Sequence, residues 1–367
     1  RLMVNNFTQR DPLSRNALHD RRLAADFRRL LEETRPDLLH VHHLAGHAAT
    51  LPGLAARRGI PILYQIQDWW APCARANLLD AKRRLCPGPS PGLCTACLPL
   101  TGLPPSPLLN RALYKARERL LRRVFRQADA FVMGSEAIHQ SYLDLGWLGA
   151  GARAFVIPYG IERPPEPAAR RRPGAPLRFG VIGSILPHKG IHVAVAAFRG
   201  IDPGRATLQV WGDLAVSPAY TAELTALASP AVRFEGSFAE ERRSEIFGGL
   251  DVLIVPSLGL ESFGLAAREA LAEGVPVLAS RRGALAELFP PEAGPPCGAL
   301  FDPELDPERP EELRGWIERL VAEPGIIEAW AANPTRVKEM DEHAREIEEI
   351  YEKILAARGR TSIDIVE

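Results

Sequence analysis

The sequence predicts an α/β fold of two halves, each a parallel sheet covered by helices on both faces, joined by a linker. Short apolar runs such as RPDLLHVHH, IPILYQIQD, LRFGVIGS and DVLIVPS alternate with stretches of helical spacing. At 367 residues the chain is longer than one hydrophobic core usually organises. A Pro- and Arg-rich stretch at 162–176, ERPPEPAARRRPGAP, separates the two series and reads as the linker.

In the first half, residues 17–34 space Leu, Ala and Phe along one helical face, with charge on the other. RPDLLHVHH is then a short buried strand, and an Ala-rich helix runs to Arg58, where Gly59 stops it. IPILYQIQD is the next strand. Residues 68–107 break the rhythm, being rich in Pro, Gly and Cys. A long helix over 108–128 and the strand DAFVMGS complete a domain expected at 1–161. The second half repeats the pattern in LRFGVIGS, ATLQVWGD, AVRFEGS, DVLIVPS and VPVLAS, a second domain expected at 177–335. A charged amphipathic helix is expected at 336–358, crossing back to the first domain.

Hydrophobic residues at 46% and charged residues at 25% are ordinary for a globular protein, and the zero net charge offers no global argument for nucleic acid. No apolar run approaches the roughly 20 residues that span a bilayer, and no secretory leader is read. Five cysteines in a long chain do not suggest a secreted disulfide framework, so a reducing cytoplasm is expected.

Ligands of open parallel sheets bind beyond the carboxyl ends of the strands. The first such loop is Gly183-Ser184-Ile185-Leu186-Pro187-His188-Lys189-Gly190. Its leading glycine allows close backbone approach, and Lys189, one of only five lysines, suits a diphosphate. It lacks the GxxxxGK[ST] pattern of ATP-hydrolysing loops. A turn bearing a solvated lysine is the alternative. The second is VPSLGLESFGLAAREALAEGVPVLAS, where Glu261 and Glu269 flank a helix start whose free NH groups suit a phosphate or a sugar hydroxyl. A carboxylate can accept two hydroxyl hydrogen bonds at once. Two glutamates eight residues apart are also common on solvated helices.

The run Glu261–Glu269 resembles the E-x7-E motif of retaining glycosyltransferases of family 4, which have the GT-B fold of two Rossmann-like domains facing a cleft. A strand ending in Pro256-Ser257, the string ESFG, EALAEGVPV, the HKG turn, the IPYGIE stretch and RPDLLHVHH all fit that family. The family's first strand and glycine-rich loop are missing, which implies a chain that starts inside the N-terminal domain.

The resemblance implies transfer of a sugar, with retention and without a catalytic metal, from a nucleotide-diphosphate sugar to a glycan, lipid-linked or small-molecule acceptor. The setting implied is cell-envelope or polysaccharide biosynthesis. Lys189 would hold the diphosphate, Glu261 the transferred sugar and Glu269 the ribose, with Gly183, Ser184, Ser262, Phe263, Gly264 and Leu265 lining the donor. The absence of a DxD motif in the donor half agrees with metal-independent transfer. Ser184 stands where many relatives carry an Arg facing the phosphates. Gln67-Asp68 stands where the family often has His-Asp, which leaves Asp68 as the only titratable candidate for a catalytic role there. Epimerisation of a nucleotide sugar, or binding without catalysis, are the alternatives.

Three further features stand apart. His40, His42, His43 and His47 read as loop structure near the acceptor rather than a metal site. The helix 108–127 carries seven basic residues against one Glu118, which suits anionic lipid headgroups, a phosphate-bearing acceptor and a peripheral position at the inner face of a membrane, or simply a solvated face. Cys73, Cys86, Cys94 and Cys97 could form a structural zinc site, since Cys94-x2-Cys97 has the spacing of a zinc knuckle. Disulfides, an iron–sulfur cluster and free buried thiols remain the other readings.

Overall fold

The computed structural model describes residues 18–98, 106–149, 151–163, 176–290, 295–303, 310–333 and 335–359. The expected linker at 162–176 lies almost wholly outside them. The chain forms two compact units, one of Arg1–Ala81, Cys86–Pro158 and Glu342–Glu367, the other of Lys82–Leu85 and Tyr159–Asp341.

The first unit opens with α1 (Arg21–Thr34), whose N-terminal amides at Arg22 and Leu23 donate to the Asp20 carboxylate. There follow β1 (Leu39–Val41), α2 (Pro52–Ala56), β2 (Ile62–Ile66), α3 (Pro91–Cys97), α4 (Pro107–Phe125), β3 (Ala130–Met133), α5 (Glu136–Asp144) and β4 (Ala154–Val156). The four strands pair in parallel in the order β1-β2-β3-β4. Every residue of β2 and β3 is buried, which is why both read as unbroken apolar runs. Sequence reading did not anticipate α3 inside the Cys-rich segment, nor the three-residue β4. Both are too short to leave a period.

The second unit holds β5 (Leu177–Ile182), α6 (Ile191–Ala197), β6 (Ala206–Trp211), α7 (Pro218–Leu227), β7 (Val232–Gly236), α8 (Arg243–Gly248), β8 (Val252–Val255), α9 (Leu265–Ala272), β9 (Val277–Ser280), β10 (Gly298–Phe301), α10 (Glu311–Ala322) and α11 (Gly325–Ala331). Its sheet is parallel throughout, in the order β10-β9-β8-β5-β6-β7. Phe179, Leu208, Val210, Phe198 and Phe301, all fully buried, fill its main core. Residues 82–85 group with this unit, where Arg83 donates to both Glu223 oxygens at 2.8 and 2.7 Å. The chain winds outward from β5 through β6 to β7, then returns to the other side of β5 with β8. The loops after β5 and β8 therefore flank the point where strand order reverses, the usual ligand crevice of such sheets.

The last helix, α12, spans Met340–Ala357 and starts later than its amphipathic pattern suggests. Residues 337–339 are used otherwise: Val337 is buried in the second unit, and Ile161 N–H donates to Lys338 O at 2.9 Å. Ile347, Ile350 and Ile354 of α12 pack on Leu63, Ala130, Val132 and Ile157 within the first unit.

Candidate active site

The loops after β5 and β8 are joined through the backbone. Leu258 and Gly259 N–H both donate to His188 O, at 3.0 and 3.1 Å. Gly190 makes this approach possible. Its φ of +67° favours glycine, and a Cβ there would lie 1.9 Å from Pro256 O.

On this frame Lys189 and Glu261, 72 positions apart, form a direct ion pair, Nζ to Oε1 at 2.8 Å. Ser257, itself buried, donates to the same Oε1 at 2.5 Å. Both bonds fall on one oxygen, so Oε2 keeps its lone pairs. Lys189 likewise keeps two N–H donors beyond the one directed at Glu261. The Glu261 backbone is fixed separately, its carbonyl accepting from Ala284 N–H at 2.8 Å. Gly283 packs so closely there that a Cβ would stand 2.3 Å from Glu261 O.

Beyond Glu261 the chain turns into α9 through Gly264, at φ +79°. No side chain caps this helix, which leaves its first N–H groups available. Phe263 is buried beneath the turn against Tyr159, ring centroids 4.7 Å apart. Arg268 covers the other side, its guanidinium 4.0 Å from the Phe263 ring and donating to Phe263 O. Burial holds Arg268 down to about 10, below the usual arginine range.

Glu269 follows on α9, with Arg243 of α8 4.0 Å away. Burial raises the Glu269 carboxyl, and the Arg243 charge partly opposes it. Gly183 and Ser184 are exposed at the end of β5, Ser262 is half-buried and Leu265 is exposed at the start of α9. Ser257, Arg268 and Arg243 were missed in the sequence. Ser257 was read only as the end of the Pro256-Ser257 string and Arg268 only as part of the following helix, although their contacts lie four and five residues away, while Arg243 meets Glu269 from a separate helix.

In the first unit, Asp68 lies just past β2. Its Oδ2 accepts from His43 Nε2 at 3.2 Å and its Oδ1 from Trp70 N–H at 2.7 Å. Ala45 N–H donates to His43 Nδ1 at 2.8 Å, so the proton sits on Nε2, facing the carboxylate. Sequence reading placed His43 in a loop and left Asp68 without a partner. The only available signal was that both residues end neighbouring strands. His40 instead points inward, hydrogen-bonded to Tyr351 Oη at 2.7 Å and stacked on His42. Burial, with the His42 charge, lowers His40 to about 3, so it is neutral at ordinary pH.

Two of the seven basic side chains along α4 and its C-terminal cap, Arg126, are structural. Arg117 is buried and donates to Trp70 O and Ala71 O, and Arg122 pairs with Glu118 at 2.9 Å. Arg111, Lys115, Arg119, Arg123 and Arg126 are exposed, four of them at four-residue intervals along one face. None of the five cysteines is in a disulfide, and among the described residues no three His, Cys, Asp or Glu side chains stand as a closed metal site.

Residues 176–322 match the family model of glycosyl transferases group 1, and residues 4–163 that of glycosyltransferase family 4. A phosphatidyl-myo-inositol mannosyltransferase of Propionibacterium freudenreichii is 29% identical over 56% of this chain and 53% of its own length. A D-inositol 3-phosphate glycosyltransferase of Acidothermus cellulolyticus is 35% identical over 45% of this chain and 42% of its own. The matches thus span about half the length of these curated relatives. Among solved structures, sucrose-phosphate synthase of Thermosynechococcus elongatus superposes with a TM-score of 0.64 at 20% identity, covering 91% of this chain and 77% of that one. HepE of Anabaena, in complex with UDP, gives 0.65 at 17% identity over 90% and 82%. These likenesses show the GT-B fold. With both units matched by its family models, the chain belongs to the family 4, group 1 glycosyltransferases.

Proposed function

We propose that this protein transfers a glycosyl group from a nucleotide-diphosphate sugar to an acceptor hydroxyl, with retention at the anomeric carbon and without a catalytic metal. The observation that carries the reading is the Lys189–Glu261–Ser257 cluster at the strand-order reversal. Lys189 can turn its two spare donors to the diphosphate while still paired, and Glu261 Oε2 can accept from hydroxyls of the transferred sugar. The leaving diphosphate gains charge in an oxocarbenium-like transition state, and a fixed ammonium with uncapped helix N–H groups stabilises it. Glu269 takes the ribose hydroxyls. Solved relatives bound to UDP support a nucleotide donor.

On the acceptor side, Asp68 receives the incoming hydroxyl, with His43 holding its carboxylate in place. The exposed cations of α4 favour an acceptor bearing phosphate or anchored in an anionic membrane, with the protein peripheral to the cytoplasmic face. The phosphatidyl-myo-inositol mannosyltransferase and the D-inositol 3-phosphate glycosyltransferase among the relatives support that acceptor class.

Thermal melting against UDP, GDP, ADP and their sugars tests the reading, because a ligand that binds only the native state raises its stability. One nucleotide series should raise the melting temperature, and its sugar form should yield free nucleoside diphosphate with an inositol phosphate or lipid acceptor. No shift with any nucleotide sugar would overturn the proposal.

A further inference from the structure

We propose that Cys73, Cys86, Cys94 and Cys97 bind one zinc ion that braces the segment between β2 and α4, apart from the transfer chemistry. The chain has five cysteines, and these four fall within residues 73–97. All four belong to the first unit. Cys94 and Cys97 stand three positions apart on α3, hence on one face. Cys86 N–H donates to Leu78 O at 2.7 Å, and Cys97 Sγ lies 3.8 Å from Leu79 O, so both reach the same short stretch. Cys94 is within electrostatic range of the other three thiols.

Trp69, Trp70, Cys73, Leu78 and Leu79 are buried, but the stretch that carries the other three cysteines is not: helix α3 buries no residue, and Cys86, Cys94 and Cys97 are only half-buried. A cavity of about 50 Å³, lined in part by Ala74, Pro91, Cys94 and Tyr114, remains beside it. Ala76 and Leu78 nevertheless take left-handed backbone, with φ of 61° and 50°. Such strain persists only where the surroundings enforce it.

Arg117 supplies an independent sign. Its side chain is only 3% exposed, pairs with no carboxylate among the described residues and leaves Nε without a hydrogen bond, yet it lies within electrostatic range of Cys73 and Cys94. A buried charge calls for a counter-charge. Four thiols binding Zn²⁺ release four protons and form a tetrathiolate of net charge −2, which meets that need. As the side chains stand, the sulfurs are not closed into a metal site, so the ion must draw them to Zn–S distances of about 2.3 Å. Four soft thiolates and no open ligand position favour a structural zinc.

Metal content of the purified full chain, measured by plasma mass spectrometry, should be about one zinc per chain. A mercurial thiol reagent should release that zinc from the unmutated protein, and its loss should lower the melting temperature. The double variant C94S/C97S should retain less than a tenth of the zinc. Cobalt(II) in its place should give an intense thiolate charge-transfer band. Zinc below a tenth per chain together with melting unchanged in EDTA would overturn the proposal. So would iron in place of zinc, or the mass of two disulfides in protein purified without reductant.

Discussion

Replacing Glu261 with alanine deletes one carboxylate and its two hydrogen bonds, from Lys189 at 2.8 Å and Ser257 at 2.5 Å. The loop backbone keeps its own bond from Ala284. The Lys189 side chain is 35% exposed, so the ion pair contributes at most about 1 kcal/mol, and the serine bond about as much again. For a unit of this size the melting temperature should fall by no more than roughly 8 °C. Transfer is far more sensitive. A hydrogen bond from a sugar hydroxyl to a carboxylate is worth about 1.5–3 kcal/mol, or roughly 10- to 150-fold in kcat/KM. If Oε2 takes two hydroxyls, the loss approaches the order of 10²–10⁴-fold. The assay is release of nucleoside diphosphate from whichever donor the melting screen identifies. Affinity for the bare nucleoside diphosphate should fall far less than transfer, since Glu261 acts on the diphosphate only by positioning Lys189. A folded E261A that transfers within about threefold of the parent would refute the assignment.

Three other perturbations follow from the same geometry. Gly190→Ala, whose Cβ would meet Pro256 O at 1.9 Å, should cost about 2 kcal/mol or more in urea unfolding and weaken donor binding in calorimetry. Burial raises the Glu269 carboxyl, so its contribution to stability is present at low pH and lost as pH rises from the unfolded value toward the folded one; E269Q should therefore melt higher at pH 7.5 while binding nucleotide roughly tenfold more weakly. His40, lowered to about 3, works in the opposite sense: its contribution is full above the unfolded value of 6.5 and lost as pH falls toward 3, so near pH 5 the chain should lose about 1–2 kcal/mol that H40Q does not.

Much of this was legible because apolar runs and strand-end loops are local features. β2, β3, β5 and β8 are short buried segments between turn residues, and alternation with helices implies a parallel sheet. HKG and ESFG announced themselves as glycine-bearing loops after such strands. What remained hidden was set by distance along the chain. The pairing of Lys189 with Glu261 depends on β8 returning beside β5, which no window of residues encodes. The same holds for His43 and Asp68, brought together by the pairing of β1 with β2. The late start of α12 was hidden for another reason: Val337 fits a helical period but is taken by the core of the second unit.

The ion pair also bears on Ser184, which the resemblance sets where many relatives carry an arginine facing the phosphates. On the proposed function, a chain with one cation fewer at the diphosphate must make more of the one it has. Lys189 is not a free ammonium on a loop. Gly190 lets its turn dock on the 256–259 backbone, and Glu261 holds its head group. A positioned cation loses less side-chain entropy when the donor arrives than a mobile one would. The carboxylate that positions it is also the one proposed to receive the sugar. A sugar that draws the Glu261 carboxylate away from its bonds with Lys189 and Ser257 also releases the ammonium from its position. Sugar identity and phosphate stabilisation are thereby coupled through a single residue. On this account K189A and E261A should be non-additive, the double variant transferring no worse than about threefold below the poorer single.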